Sequence, residues 1–218
     1  MPSDPNLLIQ NDFRPISGRT VLLFAAVLAT TVALMVPSLA GQGPLPGMAA
    51  LYGAGLLAVV VAVLPMRWQA LPALAIRSAP RRPIILGVLG TLALSIGVSQ
   101  IGPEVESMKQ MAELVRTPDA LAASLFLLAG MAPLVEELIF RGVIYGWIEG
   151  RWGARMALPV SAFAFAAAHF EPAYMLLVLP LGFLFSWLRW RTNSLLPSIV
   201  AHMANNAFAV LSVVWLDG

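Results

Sequence analysis

The chain has 218 residues, 59% of them hydrophobic and 11% charged, with a mean hydropathy of +0.83. Soluble domains carry about 25% charged residues, so this composition describes an integral membrane protein. A net charge of +2 without a polybasic tract points away from nucleic acid as a partner, and the lack of cysteine excludes disulfides, thiolate catalysis and iron–sulfur clusters.

Residues 1–19 read as a loose polar tail containing Pro2, Pro5, Pro15 and Gly18. Residues 20–36 form the first apolar run. Arg14 and Arg19 before it and Ser38-Leu39-Ala40 after it give it the outline of a signal peptide. It is longer than a signal core of about 7–15 residues, so an uncleaved anchor helix is expected. Residues 41–47 are an uncharged turn, and 48–66 are the second span. Residues 67–83 connect onward with Arg67, Arg77, Arg81 and Arg82. Residues 84–101 are the third span.

The segment 102–119 is the most polar, with Glu104, Glu106, Lys109, Glu113, Arg116 and Asp119. Met108, Met111, Leu114 and Val115 recur at helical spacing, which would suit an interfacial helix. The charge density favours a solvated loop, which is the expectation here. Residues 120–150 are a long fourth span in which Gly142, Gly146 and Gly150 recur every four residues, a stripe on which another helix can pack closely. Residues 158–170, 173–190 and 195–216 complete the apolar runs. The expected fold is all-α: a polytopic transmembrane bundle of about seven helices. It divides into the tail (1–19), motif-free spans (20–101), the polar segment (102–119) and a core (120–218).

Arg14, Arg19, Arg67, Arg77, Arg81, Arg82, Arg151, Arg155, Arg189 and Arg191 fall in alternate connections, while the opposite ones hold only Lys109 and Arg116. By the positive-inside rule the N-terminus is cytoplasmic and the C-terminus lies on the opposite side. Straight spans would then put Glu136 toward the inner face and His169 toward the outer. A broken or re-entrant hairpin over 156–190, turning at Glu171-Pro172, would bring the two together; two full spans remain the other reading.

The polar residues inside these runs carry the chemistry. Glu136, Glu137 and Arg141 lie within an apolar helix, where a charge at the bilayer centre costs at least about 2.5–3.5 kcal/mol. Residues four apart share a helix face, so Glu137 can pair with Arg141, while Glu136 lies over Phe140. Neighbouring residues point about 100° apart, so the two glutamates have different jobs. Phe165 with His169 and His202 with Asn206 repeat the same spacing, and His169 and His202 are the chain's only two histidines. Taken singly, each pair has a plain explanation: a buried ion pair, a packed histidine, an interhelical amide. Together they place chemistry-bearing groups on three separate helices.

Glu136-Glu137-x-x-x-Arg141, Phe165-x-x-x-His169 and His202-x-x-x-Asn206 resemble the three motifs of the CPBP intramembrane protease family, which includes type II CAAX prenyl endopeptidases and Abi bacteriocin-immunity proteins. The motifs occur in family order and cover the half from about residue 120; known family folds have about eight transmembrane helices. The resemblance implies endoproteolysis in or beside the membrane, with Glu136, His169, His202 and Asn206 as the site and Glu137, Arg141, Phe140 and Phe165 in support. It implies a peptide or protein substrate in the bilayer, a prenylated C-terminal tail being the best-known form.

The residues allow that mechanism. Glu136 can act as general base on a water that His169 also holds. His202 and Asn206 can donate to the oxyanion, each donor worth about 2.7–4 kcal/mol. Glu136, His169 and His202 also make a His₂Glu set for zinc, but the metal-free reading is preferred and no cofactor is expected. A non-catalytic scaffold or immunity partner is the first alternative. An ion-coupled transporter is the second, although the halves show no repeat.

Overall fold

The computed structural model describes residues 15–115 and 118–216. Most of the expected tail, with Arg14, and also Arg116 lie outside the described residues. Eight helices follow in chain order: α1 (Gly18–Leu39), α2 (Pro44–Val63), α3 (Arg81–Ile101), α4 (Glu106–Leu114), α5 (Ala120–Trp152), α6 (Ala154–Ala167), α7 (Pro172–Thr192) and α8 (Leu196–Leu216). No strand occurs among the described residues. Six helices are long and apolar enough to cross a membrane: α1, α2 with its continuation to Ala73, α3, α5, α7 and α8. The chain is therefore a multi-pass membrane protein built as a helical bundle.

Local chemistry sets the helix ends. The Ser17 side chain accepts the Thr20 amide at 3.2 Å and caps α1. Pro44 and Pro172 open α2 and α7, where the missing N–H does no harm. Gly153, at φ +80°, separates α5 from α6 in a backbone conformation that favours glycine. Asn193 ends α7 in the left-handed region and accepts Arg189 Nη1 at 2.9 Å. Arg189 also meets Glu149 at 3.3 Å, tying the end of α7 to the end of α5.

α5 is the axis of the bundle. At about 1.5 Å per residue, its 33 residues exceed the thickness of a bilayer core of about 30 Å. α1 packs on α2; α3 packs on α7 and α8; α6 lies along α7 and against α5. Two apolar clusters flank α5. One joins Phe24, Ala58, Val59, Leu138 and Leu195; the other joins Phe140, Phe165, Val178, Phe185 and Leu188.

Several expectations change. The fifth apolar run, 158–170, lies largely in α6, only 14 residues long and short of a full span. Its turn into α7 nevertheless reaches α4: the Glu171 carboxylate accepts the Glu106 amide at 2.9 Å and the Ser107 hydroxyl at 2.6 Å. That carboxylate caps a helix 64–65 residues away in sequence, and it is why part of the expected loop over 102–119 is helical. The 67–83 connector is not extended throughout, since Leu64–Gln69 is a 3₁₀ segment followed by a helical turn, Ala70–Ala73.

The Gly142/Gly146/Gly150 stripe does not receive another long helix. A side chain at those positions would meet Leu74, Ile16 and Pro15, so the stripe admits the connector and the entry to α1. Pro180 and Gly182 do not interrupt α7. A Cβ at Gly182 would lie 3.1 Å from the Ala162 carbonyl, so glycine is what lets α6 and α7 approach.

Candidate active site

The site grows from two irregular stretches of α5. Leu125–Met131 and Leu138–Ile144 wind as π-helix on either side of the regular turn Ala132–Glu137. Such segments are rare and often mark functional positions. Carbonyls in both accept side chains from other helices: Leu128 from Asn206 Nδ2 at 2.9 Å, and Phe140 from Ser161 Oγ at 2.9 Å.

Glu137 and Arg141 are fully buried and pair at 3.0 Å. Each guanidinium nitrogen has a hydrogen-bond partner. Nη2 donates to the Gly182 carbonyl at 2.8 Å, Nε to Ser186 Oγ at 3.4 Å, and the Phe165 ring lies 4.4 Å from Cζ. Burial of an ion pair is tolerable only with such additional bonds. The same Glu137 oxygen also meets His202 Nδ1 at 3.2 Å. The pair therefore does more than fix the pitch of the helix, because it orients an imidazole on α8 as a buried carboxylate does for a catalytic histidine.

With Nδ1 held by Glu137, Nε2 is the His202 atom facing Glu136, at 3.7 Å from Oε2. That gap is too long for a hydrogen bond and suits a bridging water. The Glu136 side chain keeps 19% of its surface, whereas His202 keeps 5% and Glu137 none. The two glutamates thus divide as their 100° offset implies, one fully buried and one partly exposed. Phe185 stacks on the His202 ring at 4.7 Å and 21°.

His169 stands apart from this pair. Its Nδ1 bonds to the Phe165 carbonyl at 2.9 Å, leaving Nε2 open. Phe165 touches both imidazoles edge-on, at 5.1 Å from His169 and 5.6 Å from His202. Among the described residues no hydrogen bond joins His169 to Glu136. Phe140 packs edge-on against Phe165 at 5.4 Å. Asn206 sits one turn beyond His202 and accepts the Asn205 amide at 3.3 Å, with one Nδ2 hydrogen left after its bond to Leu128.

Among the described residues no group of three or more His, Cys, Asp or Glu side chains is placed to hold a metal ion.

Residues 118–208 match the family described as Type II CAAX prenyl endopeptidase Rce1-like. The matched stretch begins just before α5 and ends beyond Asn206, so it contains all three motifs. Two curated relatives align with the chain. One is named "Putative membrane peptidase YdiL", from Bacillus subtilis (strain 168), 28% identical over 111 residues, 51% of this chain and 44% of that protein. The other is "UPF0177 protein YxdF", from Lactococcus lactis subsp. lactis (strain IL1403), 31% identical over 93 residues, 42% of this chain and 51% of that protein. The aligned part spans about half the length of these relatives. No solved structure matches the chain.

Not every group near Glu136 lies within the matched stretch. The Tyr52 phenol, on α2, lies close to the Glu136 carboxylate. A side chain at Gly55, one turn on, would collide with Val135, so a bare glycine lets α2 approach α5 here. Tyr174, on α7, lies close to Glu136 and meets the His169 ring edge-on at 4.7 Å. Neither tyrosine, nor Phe185, nor the Glu137–His202 contact is legible from motif spacing. A phenol alone in an otherwise apolar second span was the available signal for Tyr52.

Proposed function

We propose that the chain is an intramembrane endopeptidase of the glutamate type, hydrolysing a peptide bond within or beside the bilayer. The observation that carries this reading is the partly exposed Glu136 carboxylate facing, across 3.7 Å, an imidazole braced from behind by a fully buried ion pair. A packing pair would be closed on both sides; this one is closed on one and accessible on the other.

In the proposed reaction a water between Glu136 and His202 loses a proton to Glu136 as its oxygen attacks the scissile carbonyl carbon. Nε2 of His202, when it carries a proton, and the spare Nδ2 hydrogen of Asn206 stabilise the oxyanion. The proton then passes from Glu136 to the leaving nitrogen as the C–N bond breaks. His169 contributes Nε2 from the other side of the pocket, contacting the water or the substrate. Hydrogen bonds at such sites are often loose before substrate binds and tighten in the complex. The reading is metal-free, in keeping with the scattered donors.

The substrate class follows from the setting: a peptide segment that enters a cavity between membrane helices. A lipidated C-terminal tail, prenylated in the best-known clients of the resembled family, is one form of it. The arginine distribution supports a cytoplasmic N-terminus and a C-terminus on the opposite side.

Purified protein in detergent tests the proposal against a quenched-fluorescence peptide library, with and without chelator. Cleavage that persists with chelator and is lost in Glu136→Gln and strongly reduced in His169→Ala is expected. Cleavage lost with chelator and restored by zinc overturns the metal-free mechanism, and absence of cleavage under every condition overturns the enzyme.

A further inference from the structure

The anchoring of Asn206 begins with a missing hydrogen on another helix. In a regular helix each carbonyl accepts the N–H four residues on. The Leu128 carbonyl would take it from Ala132, but in the π segment that N–H goes to Leu127 instead. The next N–H along would come from residue 133, which is proline and has none. A carbonyl inside a membrane protein must be satisfied internally. Asn206 Nδ2 reaches across from α8 and supplies the hydrogen bond at 2.9 Å.

This bond fixes the amide of Asn206 in three respects. One Nδ2 hydrogen is held on Leu128, Oδ1 is held by Asn205 at 3.3 Å, and the amide plane is thereby set. The second Nδ2 hydrogen then has a single direction. Asn205, the donor to Oδ1, is itself buried, which holds that anchor in place.

We infer that Pro133 is a positioning residue for the site: by withholding an N–H from the Leu128 carbonyl, it keeps that carbonyl for Asn206 and so aims the amide of Asn206. The inference rests on the proposed reading of Asn206 as an oxyanion donor. It gives the proline a role other than packing. A proline inside a helix normally destabilises it by about 3 kcal/mol, because of the lost bond and a clash with the preceding turn.

Pro133→Ala tests this directly. Alanine supplies the N–H and is a better helix former. The variant should unfold at the same temperature as the parent or higher, while kcat falls about tenfold to a hundredfold, short of the roughly 10²–10³-fold loss for outright removal of a donor. KM should not change. The Pro133→Ala, Asn206→Ala double variant should be no slower than Asn206→Ala alone, because both changes act through one amide. Hydrogen exchange should find the new amide at position 133 protected. If alanine leaves a void that unfolds the protein, Pro133→Val, closer in volume, carries the same expectations.

Several results overturn the inference. Parental activity in Pro133→Ala beside an impaired Asn206→Ala removes it and leaves the endopeptidase reading intact. So does a fast-exchanging amide at 133, or a double variant whose losses multiply. Stability and kcat falling together in both proline variants would mean that Pro133 only packs. A parent protein that cleaves nothing removes the endopeptidase reading, and this inference with it.

Discussion

Helices α1 and α5 are both long and apolar enough to cross a membrane, but they meet different surroundings. Half of the apolar window of α5, 50%, is buried within the protein, against 11% for α1. α1 carries no charged residue after Arg19, whereas α5 carries Glu136, Glu137 and Arg141 near its middle. Charge is admitted where protein rather than lipid surrounds the helix, and where each charged group finds a partner. α7 supplies Gly182 and Ser186 to the guanidinium, and α8 supplies His202 to the carboxylates. α1 has no such neighbours, and Leu22 and Leu34 remain exposed on its surface.

This contrast can be broken most forcefully at Arg141. Arg141→Met strands the Glu137 carboxylate in a dry interior, which should cost about 3–5 kcal/mol. Thermal unfolding in detergent should fall sharply, and activity should fall with it as His202 loses its brace. Replacing Glu137 and Arg141 together by apolar residues should restore much of the stability and none of the activity. Leu34→Ala in α1 should change neither measurably. Equal destabilisation by Arg141→Met and Leu34→Ala would erase the distinction between the two helices.

A finer probe lies on α2, outside the stretch matched by the Rce1-like family. Tyr52→Phe removes the hydroxyl nearest Glu136 on α2 and leaves the ring in place. If that hydroxyl donates to Glu136 in the complex, its loss, about 0.5–1.5 kcal/mol, should lower kcat several-fold with little change in unfolding temperature. Unchanged kcat would confine the chemistry to the C-terminal half.

The smallest expected effect concerns Glu171, at the entry to α7. The Ser107 hydroxyl and the amides of Glu106 and Ser107 hold its carboxyl below the usual carboxylate range. A carboxyl lowered in the folded state contributes above its unfolded pKa, and the contribution is lost as pH falls through the folded value. α4 should therefore stay docked at neutral pH and loosen only in acid below the ordinary carboxylate range. Glu171→Gln should loosen it at every pH. Amide exchange over 106–114 reads both, and docking that weakens as pH rises would contradict the assignment.

The sequence was most legible where the physics is local. Long apolar runs announce spans by themselves, and a four-residue spacing was enough to pair Glu137 with Arg141. Contacts set by packing were not legible. Which helix would face Glu137 across 65 residues of sequence depends on how α5 and α8 cross. That Phe165 touches both imidazoles is likewise a matter of packing that no spacing rule states. The π segments left one trace in the sequence, Pro133. α4 was read as a loop because its charges outweighed a short amphipathic pattern, and its capping carboxylate comes from a distant turn.

The account stands on Glu136 and His202 acting as one unit. A double-mutant cycle on kcat with Glu136→Gln and His202→Ala tests it most directly. Loss of a general base alone should cost about 10²–10⁴-fold. If the two groups share one water, the double variant will be no slower than the slower single variant. If the two losses multiply, the groups act independently and the proposed site is contradicted.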